Sequence, residues 1–482
     1  MQKGYITVYL SLVTGVLLSL LLTVISGVRM HTIRTQTECV MDMAMDSALA
    51  EYHRELLEQY DLFFIDTSYG GSPSYDNTQE HIRGYMNMNF QPFRLFDLPV
   101  GKDLTAMNAE SVTLLQASAA PDDNGAVLKR QAVDYILDKW GMSYLSQAAV
   151  NARRLEQSGY LDSDVEAQRE QTEAEVKEKI LQKQQEKEDA GETDWEGKDV
   201  ELPSDVVNQA RGEGILSLAV SNPGTLSRTP IAVDSLLSHR DGRIEGTGLP
   251  EGKQEPESLM DRCLFQTYMM EKCGFYGRAK EPASFSYQLE YLLEGQGNDL
   301  DNLRRVANKL LLIREAANAA FLFSDSTRRA QAEETAGLIS LVLTLPELKE
   351  PITVLILFAW AYAESVKDLR MLFDGERVPL MKEDGSWNTP YYQLLTFRGH
   401  LAEYQKGGEG LSYQDYLGAF LFLQSDDVTV MRLMDVMEAD IRMTPGNKGF
   451  RMDGCIDAMT AEAEVTSGYG FQYRIKRAYR YE

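Results

Sequence analysis

The chain has 482 residues, 44% of them hydrophobic, enough apolar material for two or three domains with cores of their own. Its formal net charge is −25 and its pI is near 4.7. A balance this acidic lacks the basic patches that neutralise phosphates, so it argues against a nucleic-acid partner and disfavours adhesion of the soluble part to anionic lipid. The four cysteines, Cys39, Cys263, Cys273 and Cys455, contain no CxxC pair and are too few for a disulfide scaffold. Buried free thiols and one or two bridges, with Cys263 and Cys273 the close pair, both remain open.

At the amino terminus, Lys3-Gly4 precedes an uncharged run over residues 5–28, closed by Arg29, His31 and Arg34. About twenty apolar helical residues cross a bilayer, so the run is long enough to span. A cleaved signal would have a shorter apolar region, and Ile25-Ser26-Gly27 is a poor cleavage site. A plain anchor and a pilin-like segment remain. A short basic leader ending in Gly, then an apolar helix running into a soluble one, is the type IV pilin layout, which makes Gly4 and Tyr5 the candidate leader cleavage site. The Glu of that layout, five residues into the mature chain, is replaced here by Tyr9. The positive-inside count is nearly balanced, and the pilin-like layout puts the amino terminus in the cytoplasm.

Residues 30–60 lack Pro and Gly and predict an extension of this helix as a stalk of residues 29–60. Residues 61–66, DLFFID, read as a buried strand, and residues 110–119 as a second one. A helical, charged insertion covers 125–200, and an exposed linker rich in Gly, Pro, Ser and Asp covers 201–255. A helical domain follows over 256–445. Within it, residues 298–323 carry an apolar face at Leu303, Ala307, Leu310 and Arg314, and two apolar segments, 335–345 and 352–365, form a buried hairpin because each is too short to span. Two more helices over 413–441 are split near Ser425-Asp426-Asp427. Residues 461–466 and 471–477 alternate with period two around the turn 467–470, a hairpin in which Glu462 and Glu464 can face Arg474 and Lys476.

Catalytic constellations are missing: no HExxH, no GxSxG elbow, no phosphate-binding GxxxxGK[ST] loop. Gly407-Gly408-Glu409-Gly410 reads as a flexible turn, and Asp299 and Asp301 as the cap of the helix that follows. Glu364 and Asp368, one helical turn apart on an apolar segment, are the most enzyme-like feature. Their simpler reading is a helix emerging into solvent. No catalytic, metal or cofactor residue is assigned.

The stretches KGYITVYLSL, TECVMDMAMDSALAEYHRELLEQYDLFFIDTSYG, YQLEYLLEGQGNDLDNL, KLLLIREAAN, LFAWAYAESVKDLRMLFDGERVPLMK and YGFQYRIKRAY resemble the domain-of-unknown-function 5702 family over nearly the whole chain. That resemblance implies a membrane-anchored protein associated with tight-adherence (Tad) pilus loci, beside TadE-like and TadG-like pseudopilins. It supplies no catalytic residues.

The expected fold is α+β and predominantly helical. A leader (1–4), a transmembrane helix (5–28) and the stalk lead into a small pilin-like α/β subdomain, residues 61–124 with 446–482, built on an antiparallel sheet that includes the C-terminal hairpin. The expected protein is a single-pass, surface-facing pseudopilin-like component, touching membrane lipid through residues 5–28 and other pilin-like or pilus-assembly proteins. A membrane-tethered hydrolase of the cell envelope and a generic surface adhesin or receptor domain are the alternatives.

Overall fold

The computed structural model describes residues 2–91, 94–95, 98–99, 105–140, 147–191, 195, 197, 200–248 and 258–481. In chain order the elements are α1 (Gln2–Leu49), α2 (Arg54–Tyr60), β1 (Ile65–Asp66), α3 (Tyr75–Phe90), the paired β2 (Arg94–Leu95) and β3 (Leu98–Pro99), β4 (Met107–Ala119), α4 (Asp122–Trp140), α5 (Gln147–Ser158) and α6 (Val165–Asp189). There follow α7 (Pro203–Glu213), α8 (Ile215–Ala219), α9 (Leu259–Lys272), α10 (Gln288–Glu294), α11 (Asp299–Ser324), α12 (Ser326–Val342), α13 (Lys349–Phe373), α14 (Tyr413–Leu423), α15 (Asp426–Arg442), β5 (Cys455–Ser467) and β6 (Gln472–Arg480). This is the predominantly helical α+β class that the sequence predicts, with the C-terminal hairpin in a small antiparallel sheet.

The chain divides into two compact units. The first takes in the described residues of Met1–Tyr135, Leu236–Pro256 and Met434–Glu482, and so gathers both chain ends. Its sheet is centred on β5, which pairs antiparallel with β4 on one side and with β1 and β6 on the other. Each helix residue adds about 1.5 Å, so the 48 residues of α1 rise about 72 Å. From Tyr5 through Val28 they bury nothing. From Ile33 onward a stripe of Ile33, Thr37, Val40, Met41, Ala44, Met45 and Ala48 is buried at helical spacing. It packs over Met459, Ala461, Ala463 and Val465 of β5 and Ile475 of β6, with Ile82, Met86 and Phe90 of α3 in the same core. Ala44 and Ala48 of α1 and Ala461 and Ala463 of β5 lie in this same core.

Polar contacts hold β6 along α1. Tyr473 Oη donates to Glu38 at 3.2 Å, Arg477 Nε to Asp42 at 2.8 Å, and the Tyr481 hydroxyl to the Leu49 carbonyl. Across the hairpin, Glu464 faces Arg474 and Glu462 faces Lys476, the anticipated register, and the first pair closes to 3.3 Å. The far edge of β4 is plugged by side chains. Asn87 both donates to Ala109 O and accepts from Ala109 N, while Thr247 brackets Ala117 in the same way. Such plugs satisfy edge groups that would otherwise pair with another strand.

The structure corrects several boundaries. The stalk helix does not reach residue 60; it stops at Leu49 because the chain turns back to pair, with His53 N donating to Phe64 O and Tyr52 bridging to Ile65. His53 then caps α2 by accepting from Leu56 N. Of DLFFID only Ile65–Asp66 is strand, since only those residues meet β5. The span 201–255 is not an exposed linker. Pro203, in the first helical turn where its missing N–H costs nothing, opens α7, and Val207, Ala210, Leu216 and Leu218 are buried. Further on, Arg240 clamps Glu438 and Asp453 inside the first unit, and Gly246 N and Gly248 N donate to Asp122.

In the second unit, Ile136–Ser235 with Glu257–Leu433, α13 is buried along nearly its whole length. The helices α6, α7, α8, α11 and α12 pack around it, while α5, α9 and α10 surround α14. The expected hairpin of two apolar segments exists as α12 and α13, but only α13 is a core helix; Leu338 and Leu341 of α12 are exposed. The break between α14 and α15 falls at the predicted aspartates.

Candidate functional site

Two regions could carry function: the uncovered half of α1, and the carboxylates Glu364 and Asp368 of α13. On α1, the window from Tyr5 is the one helix among the described residues that is long and apolar enough to cross a membrane, and none of that window is buried. Two of its hydroxyls are satisfied within the helix: Thr14 donates to Leu10 O at 2.7 Å and Thr23 to Ser19 O at 2.8 Å. Internal satisfaction is what a lipid-facing helix requires, because no water is available to take the bond. Gly4 and Tyr5 lie in the first turns of α1, and Tyr9, in place of a carboxylate, is exposed.

The expectation that α13 emerges into solvent at Glu364 and Asp368 is overturned. Both side chains are wholly buried. Lys382 Nζ reaches Glu364 Oε1 and Asp368 Oδ1, each at 2.6 Å, and donates to the Ser386 carbonyl at 2.9 Å. On the other side Arg314 Nη2 meets Asp368 Oδ2 at 2.9 Å, and its Nη1 donates to the carbonyls of Pro379 and Leu380. Asn388 N donates to Glu364, and Asn318 to Asp368. Burial alone would raise the Asp368 carboxyl, but Lys382 and Arg314 beside it hold it below the usual carboxylate range. At Lys382 burial pulls the other way, and the carboxylates of Asp368 and Glu364 outweigh it and keep the ammonium above its ordinary value. Lys382 and Arg314 thus pair directly with the two carboxylates inside the protein. A catalytic carboxylate pair must reach its substrate, and these two are fully engaged in tying α11, α13 and the 379–388 loop together.

That loop borders a cleft of about 370 Å³, lined among others by Met371, Arg377, Lys382, Ser386 and Asn388. The Gly407–Gly410 turn forms another wall. It is more than a flexible turn at Gly410, where φ is +133° and a Cβ would lie 2.3 Å from the Val378 carbonyl carbon. Leu411 and Val378 exchange backbone hydrogen bonds there, so only glycine fits.

The remaining sequence candidates are structural. Asn298 is the cap of α11, accepting from Asp301 N at 2.8 Å. Asp299 is buried, accepting from Ser286 N and Tyr287 N. All four cysteines are free thiols, Cys39 exposed and the other three buried. Among the described residues, no three His, Cys, Asp or Glu side chains are placed to hold a metal ion.

Sequence reasoning missed Lys382, which sits in a loop without periodicity. A signal for the rest was present: Arg314 falls on the apolar face of α11, and Glu364 and Asp368 on an otherwise apolar helix. Opposite charges on two apolar faces are the mark of a buried ion pair.

The family model described as "Family of unknown function (DUF5702)" matches residues 193–467, a narrower stretch than the whole-chain resemblance, leaving α1 to α6 outside the match. No curated protein and no solved structure matches the chain.

Proposed function

The chain belongs to the DUF5702 family, and from that premise we propose that it is a membrane-anchored, surface-facing structural protein, a pseudopilin-like component of a Tad-type pilus or secretion apparatus. The observation that carries this reading is the division of α1 into two halves. The first half is apolar and packs on nothing; the second lies along an antiparallel sheet that the last strand of the chain completes. A helix that only served as a tether would need no such sheet along its far end. In this reading residues 5–28 stay in the bilayer or pack against the apolar helices of other pilin-like subunits. The acidic remainder faces outward and meets pilus-assembly partners.

The hydrolase alternative draws no support from Glu364 and Asp368, which have no surface to offer a substrate. The test uses Cys39, the exposed thiol on α1. A membrane-impermeant maleimide applied to intact cells is expected to label it, and sequencing of the mature amino terminus is expected to begin at Tyr5. Labelling only after lysis would overturn the outward topology. An intact Met1 would remove leader processing while leaving the anchor.

A further inference from the structure

The apolar half of α1 ends at Val28, and the next residue is already part of the folded unit. The Arg29 guanidinium lies over the Tyr469 ring, 3.7 Å from its centre. Tyr469 is at the tip of the β5–β6 hairpin, and the residue is still 46% exposed. The tip is held firmly. Gly468 N donates to Ala106 O at 2.8 Å, Gly470 N to Ser467 O at 2.9 Å, and the Ser467 hydroxyl to the Thr105 carbonyl. The hairpin tip and α1 therefore meet at the level where the apolar run stops.

Geometry fixes the depth of that level once α1 is inserted. Residues 5–28 rise about 36 Å, and the hydrocarbon core is about 30 Å thick. The surplus of about 6 Å is no more than one headgroup layer, so Arg29 lies within that layer whether the helix tilts or stands upright. Tyr469, in contact with Arg29, is carried to the same depth.

The chemistry suits that layer. Aromatic rings with a polar tip are enriched at the membrane interface, and arginine pairs bidentately with phosphate. The acidity of the whole chain does not extend here: α1 has Arg29, His31 and Arg34 before its first carboxylate, Glu38, roughly 13 Å further along. The turn 467–470 carries no acidic residue.

We propose that Arg29 and the Ser467–Gly470 hairpin tip form a membrane-contact surface, with Tyr469 in the phospholipid headgroup layer and Arg29 on a lipid phosphate. The sheet then stands directly on the bilayer instead of being held away on a stalk. This inference rests on the reading that α1 inserts in a membrane.

The test uses the full chain reconstituted in vesicles of phosphatidylglycerol and phosphatidylcholine. Tyr469→Trp keeps an aromatic ring over Arg29 and adds a fluorophore at the tip; Leu17→Trp places one at mid-span. With a nitroxide on the lipid headgroup, the emission added by Tyr469→Trp is expected to fall by roughly half or more, as an interfacial ring should. With a nitroxide deep on the acyl chain, the emission added by Leu17→Trp is expected to fall similarly. In the Arg29→Gln background the tip loses its hold, and headgroup quenching of Tyr469→Trp is expected to weaken. Quenching of Leu17→Trp without quenching of Tyr469→Trp overturns the contact surface and leaves the anchor standing. Failure of both overturns the membrane reading itself.

Discussion

Replacing Lys382 by Met tests the buried charge network most sharply. The substitution keeps the length of the side chain and removes one of the two cations that balance Glu364 and Asp368. Lys382 Nζ is 2.6 Å from each carboxylate, and all three side chains are wholly buried. After the change Arg314 still pairs with Asp368, but Glu364 loses its ion-pair partner where water cannot reach. Breaking a buried ion pair by removing one partner costs about 3–5 kcal/mol. For a domain of this size that is a fall in Tm of roughly 6–10 °C or more. The site reports on itself, because Trp360 Nε1 and Trp387 Nε1 both donate to the Thr389 carbonyl beside the network, at 2.7 and 2.8 Å. Thermal or urea unfolding followed by tryptophan emission, on the full chain in detergent, is the assay. Adding Glu364→Gln to Lys382→Met restores neutrality, so the double variant is expected to recover about 1–2 kcal/mol relative to Lys382→Met alone. A loss below about 1 kcal/mol for Lys382→Met, or strict additivity with Glu364→Gln, would refute the buried, mutually neutralising arrangement.

A pH effect is expected from Glu290, where burial pushes the carboxyl up to about 7 against the relief given by Tyr276 N and the Tyr413 hydroxyl. The folded chain then holds a proton that the unfolded chain releases near 4.5, so stability falls as pH rises from about 4.5 to about 7 and levels off above it. The loss is on the order of 3 kcal/mol, and Glu290→Gln should flatten that part of the unfolding-versus-pH curve. Asn87→Ala frees both edge bonds of Ala109 and should cost about 1–2 kcal/mol in the first unit, measured by hydrogen exchange at β4. Reversing the exposed cross-strand pair at Arg474→Glu should cost no more than about 1 kcal/mol by urea titration, since Arg474 is 68% exposed. Maleimide should modify Cys39 in the native chain, with Cys263, Cys273 and Cys455 reacting only on unfolding, as counted by intact-mass spectrometry.

Local signals carried much of the fold. The apolar run of α1, the period of α11, the aspartates that split α14 from α15 and the turn chemistry of the β5–β6 hairpin all act within a few residues, and each appears in place. The errors occur where distant contacts override local preference. A helix without Pro or Gly still ends at Leu49, because residues 52 and 53 gain partners at Phe64 and Ile65. A segment rich in Gly, Pro and Ser still forms α7 and α8, because their apolar faces have α13 to bury against.

The candidate site divides in the same way. That one helix is apolar enough to enter a bilayer is a property of composition and length, and sequence by itself determined it. That Glu364 and Asp368 are neutralised inside the protein depends on Arg314 and Lys382, brought together from positions far apart in the chain. That the β5–β6 hairpin tip reaches Arg29 depends on how that hairpin packs along α1. Only tertiary structure decided these two points, because the energy of a charge or an aromatic ring is set by what surrounds it in space, and the residues near it in sequence do not specify that surrounding.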